Sequence, residues 1–310
     1  MPELPEVEVL VRHLSPLLVG MTVEEVQVKR AKVLAPTSIH ELGCKLQGAT
    51  FVGLLRRGKY LVFELQGRPG NNPFTLLGHL GMTGRMYLQA VEAPLPKHAA
   101  VILRCGAQNL VFEDTRYFGR FTLDTTVLEK LGPEPLSAGF TTAVFGKALS
   151  RSSQAIKVKL LDQRLVAGLG NIYASEALFR AGVSPVIPAR CLGPEQVARL
   201  WRALRSVLRQ AIARGSTVPL RYAGEGRGDG LFYFGRSGET PASYEERLRV
   251  YDREGSPCPR CGAGIERFVQ AARSTFFCPK CQSARRKRRA VRVGSRKNGR
   301  RKMAEERRTA

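Results

Sequence analysis

Cys258-Pro259-Arg260-Cys261 and, sixteen residues further on, Cys278-Pro279-Lys280-Cys281 form two CxxC knuckles near the end of a 310-residue chain. Each knuckle turns two thiols to one side of a tight turn, and two facing knuckles bring four sulfurs to the corners of a tetrahedron, the geometry of a structural Zn2+ site. Two disulfides are the alternative pairing, which a reducing compartment disfavours. Four sulfurs leave no open coordination position, so the metal folds the segment and takes no part in chemistry. Between the knuckles, Gly262–Arg267 and Arg273–Phe277 read as two short strands, a hairpin that presents Arg273 to a ligand. Cys44, Cys105 and Cys191 have no such spacing and are expected to be small buried residues.

Beyond the second knuckle, residues 284–310 hold thirteen Lys or Arg against Glu305 and Glu306, a net of +11. The whole chain carries 50 Lys and Arg against 26 Asp and Glu, so the rest keeps +13 of the total +24. That imbalance calls for a polyanionic partner, most often nucleic acid. The tail has almost nothing apolar to bury and is expected to be disordered; holding DNA non-specifically and serving as a nuclear address are both compatible with it. No apolar run approaches the ~20 residues needed to span a bilayer. Glu3, Glu6 and Glu8 stand where a secretory signal would be basic and then apolar. The expected setting is the cytoplasm, at the nucleoid if the source is bacterial, with no membrane partner.

Upstream of the knuckles, the stretch from Ala213 to Gly238 is rich in Gly and Arg and reads as a mobile loop. Helical patterns precede it at about Thr141–Leu149, Ser153–Leu161, Ile172–Ala181 and Pro194–Arg214. Two of them are joined by Val166-Ala167-Gly168-Leu169-Gly170-Asn171, a glycine-rich turn whose Asn suits a helix cap. Free N–H groups at that helix start would hold an anion such as a DNA phosphate, although such turns are common. Leu131-Gly132-Pro133-Glu134-Pro135-Leu136 breaks regular structure and makes a domain boundary. Before it, Ala49–Leu55, Lys59–Leu65, Ala99–Leu103, Leu110–Phe112 and Phe121–Leu123 read as strands of a sandwich or barrel, preceded by one helix over Glu6–Leu18.

The chain opens Met1-Pro2-Glu3-Leu4-Pro5-Glu6-Val7-Glu8. Removal of Met1 would leave a proline whose secondary amine is flanked by carboxylates. Chain-terminal amines titrate near ~7.7, well below lysine, so a useful fraction is free base at neutral pH. Attack by a secondary amine on an aminal carbon gives an iminium, which carries positive charge without a proton and drives later eliminations. The plain alternative is a proline that happens to lie near a terminus.

These pieces resemble, in order, the bacterial formamidopyrimidine-DNA glycosylases. The resemblance covers about residues 2–283 and rests on Pro2–Glu8, Arg57-Gly58-Lys59, Gly78-His79-Leu80-Gly81-Met82-Thr83-Gly84, Asp114-Thr115-Arg116-Tyr117-Phe118-Gly119, Leu131–Leu136, Gly168–Glu176 and the four-cysteine finger ending at Gln282. It implies an α+β multidomain protein: an N-terminal catalytic β-sandwich (1–135), a helix-two-turn-helix DNA-binding domain (136–225), a Gly-rich lesion-loop region (226–256), a four-cysteine zinc-finger hairpin (257–283) and the disordered basic tail (284–310). The implied partner is double-stranded DNA containing oxidised bases or abasic sites, bound by a monomer in the cleft between the domains.

By the same resemblance Pro2 is the nucleophile that attacks C1′, Glu3 the acid–base residue, and Glu6 a supporting carboxylate. Lys59 is a cation at the lesion phosphate, free from its place after Gly58 to reach outward, and His79, Asn171 and Arg273 are further phosphate contacts. Met82, Arg116 and Phe118 fill the gap left by an extruded base: a deformable wedge, donors for the orphaned partner base and a stacking ring. The implied cofactor is one structural Zn2+ on Cys258, Cys261, Cys278 and Cys281, and the implied activity is excision of oxidised purines with cleavage of the abasic product.

Some positions depart from the pattern. Tyr117 stands where the family usually has a second Arg and Thr115 where it usually has Pro; Lys97-His98-Ala99-Ala100 lacks a second His. The region from Gly215 to Tyr251 is longer than usual, as though Phe234–Pro241 lay within an insertion. One rival is an endonuclease VIII-like enzyme for oxidised pyrimidines, against which Leu4 and Leu131–Leu136 point to the purine-directed branch. The other is a non-catalytic zinc-finger DNA-binding protein, against which Pro2, Glu3 and Lys59 stand together.

Overall fold

The computed structural model describes residues 2–215 and 248–283. The expected lesion loop and its insertion lie mostly outside those residues, and the basic tail wholly so.

Helix α1 (Leu4–Leu18) buries Val7, Leu10, Val11, Leu14 and Leu18 along one stripe, the spacing that keeps apolar side chains on one helical face. It packs on the second of two four-stranded antiparallel sheets. The first takes β1 (Glu25–Val28), which precedes helix α2 (Ile39–Leu46), while β2 (Thr50–Arg57), β3 (Tyr60–Gln66) and β4 (Phe74–His79) belong to the second. After β5 (Arg85–Ala90), β6 (Ala99–Cys105), β7 (Gln108–Glu113) and β8 (Arg120–Thr122), the orders are β1-β6-β7-β5 and β2-β3-β4-β8. This is a sandwich. Three strands and α2 lie outside the segments the sequence marks: β1 has only four residues, and β4 and β5 carry little strict alternation.

Alternation is plain in β3, where Leu61, Phe63 and Leu65 point inward. In β2 a bulge between Phe51 and Gly53 shifts the register, so Phe51 and Leu54, three apart, both reach the core. Strand β6 is buried on both faces. Val101, Leu103 and Cys105 join the main core, while Ala99 and Ile102 meet Tyr87 and Val111 in a small second cluster.

The helical unit comprises α3 (Thr142–Ser150), α4 (Ile156–Leu160), α5 (Asn171–Ala181) and α6 (Pro194–Ala213). Helix α4 is a single short turn and not the longer helix expected over Ser153–Leu161. Leu4 belongs to this second core and Val7 to the first. Helix α1 therefore ties the two units together at its very first turn.

The finger is the hairpin of β9 (Glu266–Gln270) and β10 (Arg273–Phe277), its first strand starting later than the sequence suggests. Gln282 docks it: its side chain accepts from Cys278 N at 2.9 Å and donates to the Val183 carbonyl at 3.0 Å. Of the other cysteines only Cys105 is buried. Cys44 and Cys191 are exposed, because α2 and the turn at Ala189–Cys191 lie at the surface.

Candidate active site

Residues 2 to 6 meet the start of α5, and that junction builds the site. Glu3 caps α1 while Glu6, three residues on, turns back to accept the Glu3 N–H at 2.8 Å. The Glu3 carboxylate is thereby left to reach across the chain. It accepts N–H groups of Gly170 at 2.8 Å, Ile172 at 2.9 Å and Tyr173 at 3.3 Å. A carboxylate at a helix N-terminus meets unpaired donors and the positive end of the helix dipole. Asn171 is the first residue of α5, not its cap; Gly170 holds the cap position and Glu3, far away in sequence, supplies the acceptor.

The other Glu6 oxygen accepts the Tyr173 hydroxyl at 2.6 Å. Glu3 and Glu6 are 1% and 0% exposed, and Pro2 is buried beside them in the chain. Two glycines make the approach possible. A Cβ on Gly168, at φ +86°, would lie 2.7 Å from Leu4 Cβ, and one on Gly170 would collide with the Glu3 carboxylate.

Gly58 and Lys59 form the two-residue turn between β2 and β3. The turn is clamped to the inter-domain linker: Gly58 N–H donates to Glu134 at 2.6 Å, and Arg57 donates to the Leu131 and Gly132 carbonyls at 3.0 and 2.7 Å. Arg56 bridges Glu8 at 2.7 Å and Glu134 at 2.8 Å. Lys59 does not reach outward as expected; it is 7% exposed, because the clamp turns it into the junction. Burial pushes its amine below the usual lysine range, Glu3 and Glu6 pull it back up, and Arg273 pushes it further down.

His79, at the end of β4, packs its ring 4.8 Å from that of Tyr60, and its Nδ1 accepts the Gly81 N–H at 3.1 Å. Burial, then Lys59 and Arg120, push it down to about 4, so the ring is neutral near pH 7. With Nδ1 accepting, Nε2 carries the proton and is the ring's donor. Asn171 donates to the Ser274 carbonyl at 2.9 Å. A cleft of about 430 Å³ brings together Glu3 and Met82 from the sandwich, Asn171 from α5, and Tyr251 and Arg273 from the finger side.

Met82 and Phe118 stand exposed on two adjoining loops, at 37% and 50%. The Arg116 guanidinium lies 4.9 Å from the centre of the Phe118 ring. Sequence reasoning missed Lys157, 1% exposed, which donates to the Ser274 carbonyl at 2.7 Å and Thr275 Oγ1 at 2.8 Å and so holds the finger against α4. Burial, with Arg273 adding to it and Glu3 opposing, pushes its amine down to about 8. A lysine inside an apolar turn, Ile156-Lys157-Val158, was the available signal. Tyr251 had none beyond being aromatic, and Tyr173 only its place in the Gly168–Glu176 stretch.

The four sulfurs of Cys258, Cys261, Cys278 and Cys281 lie within 4.8 Å of one another. Pairs at 3.9 Å and 3.5 Å are near the roughly 3.8 Å edge of a tetrahedron with ~2.3 Å Zn–S bonds, and far from a ~2.05 Å disulfide. The set fits one structural zinc ion.

A cleft between a sandwich and a helical unit, lined by the buried Glu3 carboxylate and by Asn171 and Arg273, fits an enzyme whose substrate is a polyanion. The comparisons agree. Residues 1–121 match the formamidopyrimidine-DNA glycosylase N-terminal domain, 131–221 its H2TH domain, and 255–284 the zinc finger found in FPG and IleRS. The formamidopyrimidine-DNA glycosylase of Thermus thermophilus is 42% identical over 289 residues, 91% of this chain and 98% of that protein. That of Desulfitobacterium hafniense is 39% identical over 291 residues, 91% of this chain and all of that one. The crystal structure of the Lactococcus lactis enzyme non-covalently bound to DNA containing an AP site gives a TM-score of 0.77 at 33% identity, covering 91% of this chain and 99% of that one. A variant of that enzyme in complex with Fapy-dG-containing DNA gives 0.80 at 33% identity, covering 91% and 100%.

The chain belongs to the bacterial formamidopyrimidine-DNA glycosylase family, the DNA glycosylases of base-excision repair. No helix among the described residues is long and apolar enough to cross a membrane.

Proposed function

We propose that this protein removes oxidised purines, 8-oxoguanine and formamidopyrimidines, from duplex DNA and then cuts the abasic product through a Schiff base on Pro2. The observation that carries the reading is the Glu3 carboxylate, buried next to Pro2 and aimed at the start of α5 by three N–H groups. Removal of Met1 frees the Pro2 amine. Its nitrogen attacks C1′, the bond from C1′ to the base breaks, and the base leaves with the electron pair and takes up a proton. Glu3, held by those donors and backed by Glu6, takes the proton released from the Pro2 nitrogen and delivers it to the ring oxygen as C1′–O4′ breaks and the iminium forms.

The iminium acidifies the C2′ hydrogen. Its loss expels the 3′ phosphate, and loss of the C4′ hydrogen then expels the 5′ phosphate, leaving a one-nucleotide gap with phosphate at both ends. Lys59, His79, Asn171 and Arg273 bind the backbone around the lesion, while Met82, Arg116 and Phe118 fill the space of the extruded base. The zinc ion, when bound, supplies no chemistry beyond folding the hairpin that carries Arg273. The protein acts as a monomer, at the nucleoid.

Borohydride trapping on duplexes with 8-oxoguanine, thymine glycol or a preformed abasic site tests the reading. A covalent adduct is expected with the first and third, and none from protein that retains Met1. Nicking without an adduct would overturn the mechanism, and faster cutting of thymine glycol would move the enzyme to the pyrimidine-directed branch.

A further inference from the structure

Asp114 is fully buried, at 0% exposure, between the two loops that carry Met82 and the Arg116–Phe118 pair. One carboxylate oxygen accepts the Thr83 hydroxyl at 2.6 Å and the Arg116 N–H at 3.1 Å; the other accepts the Gly119 N–H at 2.8 Å. Thr83 follows Met82, and Gly119 follows Phe118. The same loops also touch backbone to backbone. A Cβ on Gly81, at φ +60°, would lie 2.6 Å from Gly119 N and 2.7 Å from the Phe118 carbonyl carbon.

An exposed methionine and an exposed phenylalanine on separate loops would each lose conformational freedom on entering a base stack, unless something fixed them beforehand. We propose that Asp114 is a positioning residue that locks the two loops into one rigid wedge, so that Met82, Arg116 and Phe118 enter the stack as a unit. This rests on the reading that those three side chains fill the gap of an extruded base. Hydrogen bonds to a buried carboxylate are among the stronger ones in proteins. The bond from Thr83 is the link that recruits the Met82 loop.

The consequence is selective. Extruding a base from an intact lesion duplex requires the wedge, whereas a preformed abasic site has no base to unstack. Thr83→Val keeps shape and burial and removes one link. Asp114→Asn places an amide donor opposite a backbone N–H, that of Gly119 or that of Arg116, whichever way the amide turns.

The test uses the full-length protein under single turnover, on the lesion duplex that the wild type excises fastest and on a duplex with a preformed abasic site. A 2-aminopurine beside the lesion reports base extrusion. Asp114→Asn is expected to slow extrusion and excision by about tenfold or more, the fold-change of one lost charged hydrogen bond, and Thr83→Val by about threefold. Abasic cleavage by Thr83→Val should stay within about twofold of wild type. Equal losses on both duplexes, or no loss on either, would overturn the assignment. If Asp114→Asn does not fold, Thr83→Val decides alone. A wild-type protein inert on the abasic duplex would bring down the proposed function itself, whereas parallel losses in the variants bring down only the role of Asp114.

Discussion

Glu3 accepts the backbone N–H of Ile172 at 2.9 Å, joining the first turn of the chain to the start of a helix in the other folding unit. One side chain is at once a cap for α5, a bolt between two cores and the acid of the proposed reaction. Gly170→Ala tests this directly, since its methyl would displace the Glu3 carboxylate. Stability should fall by about 1–3 kcal/mol, the penalty for leaving buried polar groups unpaired. Borohydride trapping should fall with it. Urea denaturation beside a trapping assay checks both, and an unchanged trapping yield would separate Glu3 from the chemistry.

His79 is held near a pKa of about 4, against 6.5 for an ordinary histidine. Between those values the unfolded chain binds a proton that the folded protein refuses. Stability from this residue is thus complete above pH 6.5 and drains away as pH falls toward 4. A phosphate beside the ring would favour the charged form, so DNA binding should take up a proton in that window. Titrating the Kd for a tetrahydrofuran-containing duplex from neutral pH downward should show affinity rising for wild type and flatter behaviour for His79→Gln.

Removing zinc should unfold the finger and spare the sandwich. The finger core of Val250, Ile265 and Phe276 is small, too small to order a hairpin without its metal. One zinc per chain should be released to a strong chelator. DNA affinity should drop as Arg273 and Ser274 lose their places, while far-UV circular dichroism keeps the strand signal of the larger core.

Ala271 and Ala272 form the two-residue turn of the finger hairpin at φ +47° and +57°. A Cβ in the left-handed region costs roughly 1–2 kcal/mol per residue, partly offset by the smaller entropy of an unfolded alanine. Ala271→Gly and Ala272→Gly should each raise stability by up to about 1 kcal/mol. Thermal melts of the zinc-loaded protein check it, and a lower Tm in both variants would contradict the turn geometry.

Much of the site could be named from the chain because its parts are local. Glu3 and Glu6 sit three apart at the start of one helix, Gly58 and Lys59 share a two-residue turn, and CxxC knuckles are short-range geometry. Partnerships were not legible. Asn171 looked like the cap of α5, but the acceptor is Glu3; Lys59 looked outward, but the Arg57–Glu134 clamp turns it inward. Lys157 passed unnoticed because its partners, Ser274 and Thr275, lie more than a hundred residues away.

The amino-acid order alone determined the strand-rich region, the helical region, the metal-binding cysteines and the basic charge, since periodicity, turn residues and ligand spacing act over a few residues. Only the tertiary structure decided that a carboxylate at residue 3 caps a helix at residue 171, that Asp114 joins the loops of Met82 and Phe118, and that Lys59 is buried where Glu3 and Glu6 act on its charge. Those contacts close loops of tens to nearly two hundred residues. No local preference encodes them; the Glu3 contact, for one, exists because α1 buries Leu4 in one core and Val7 in the other.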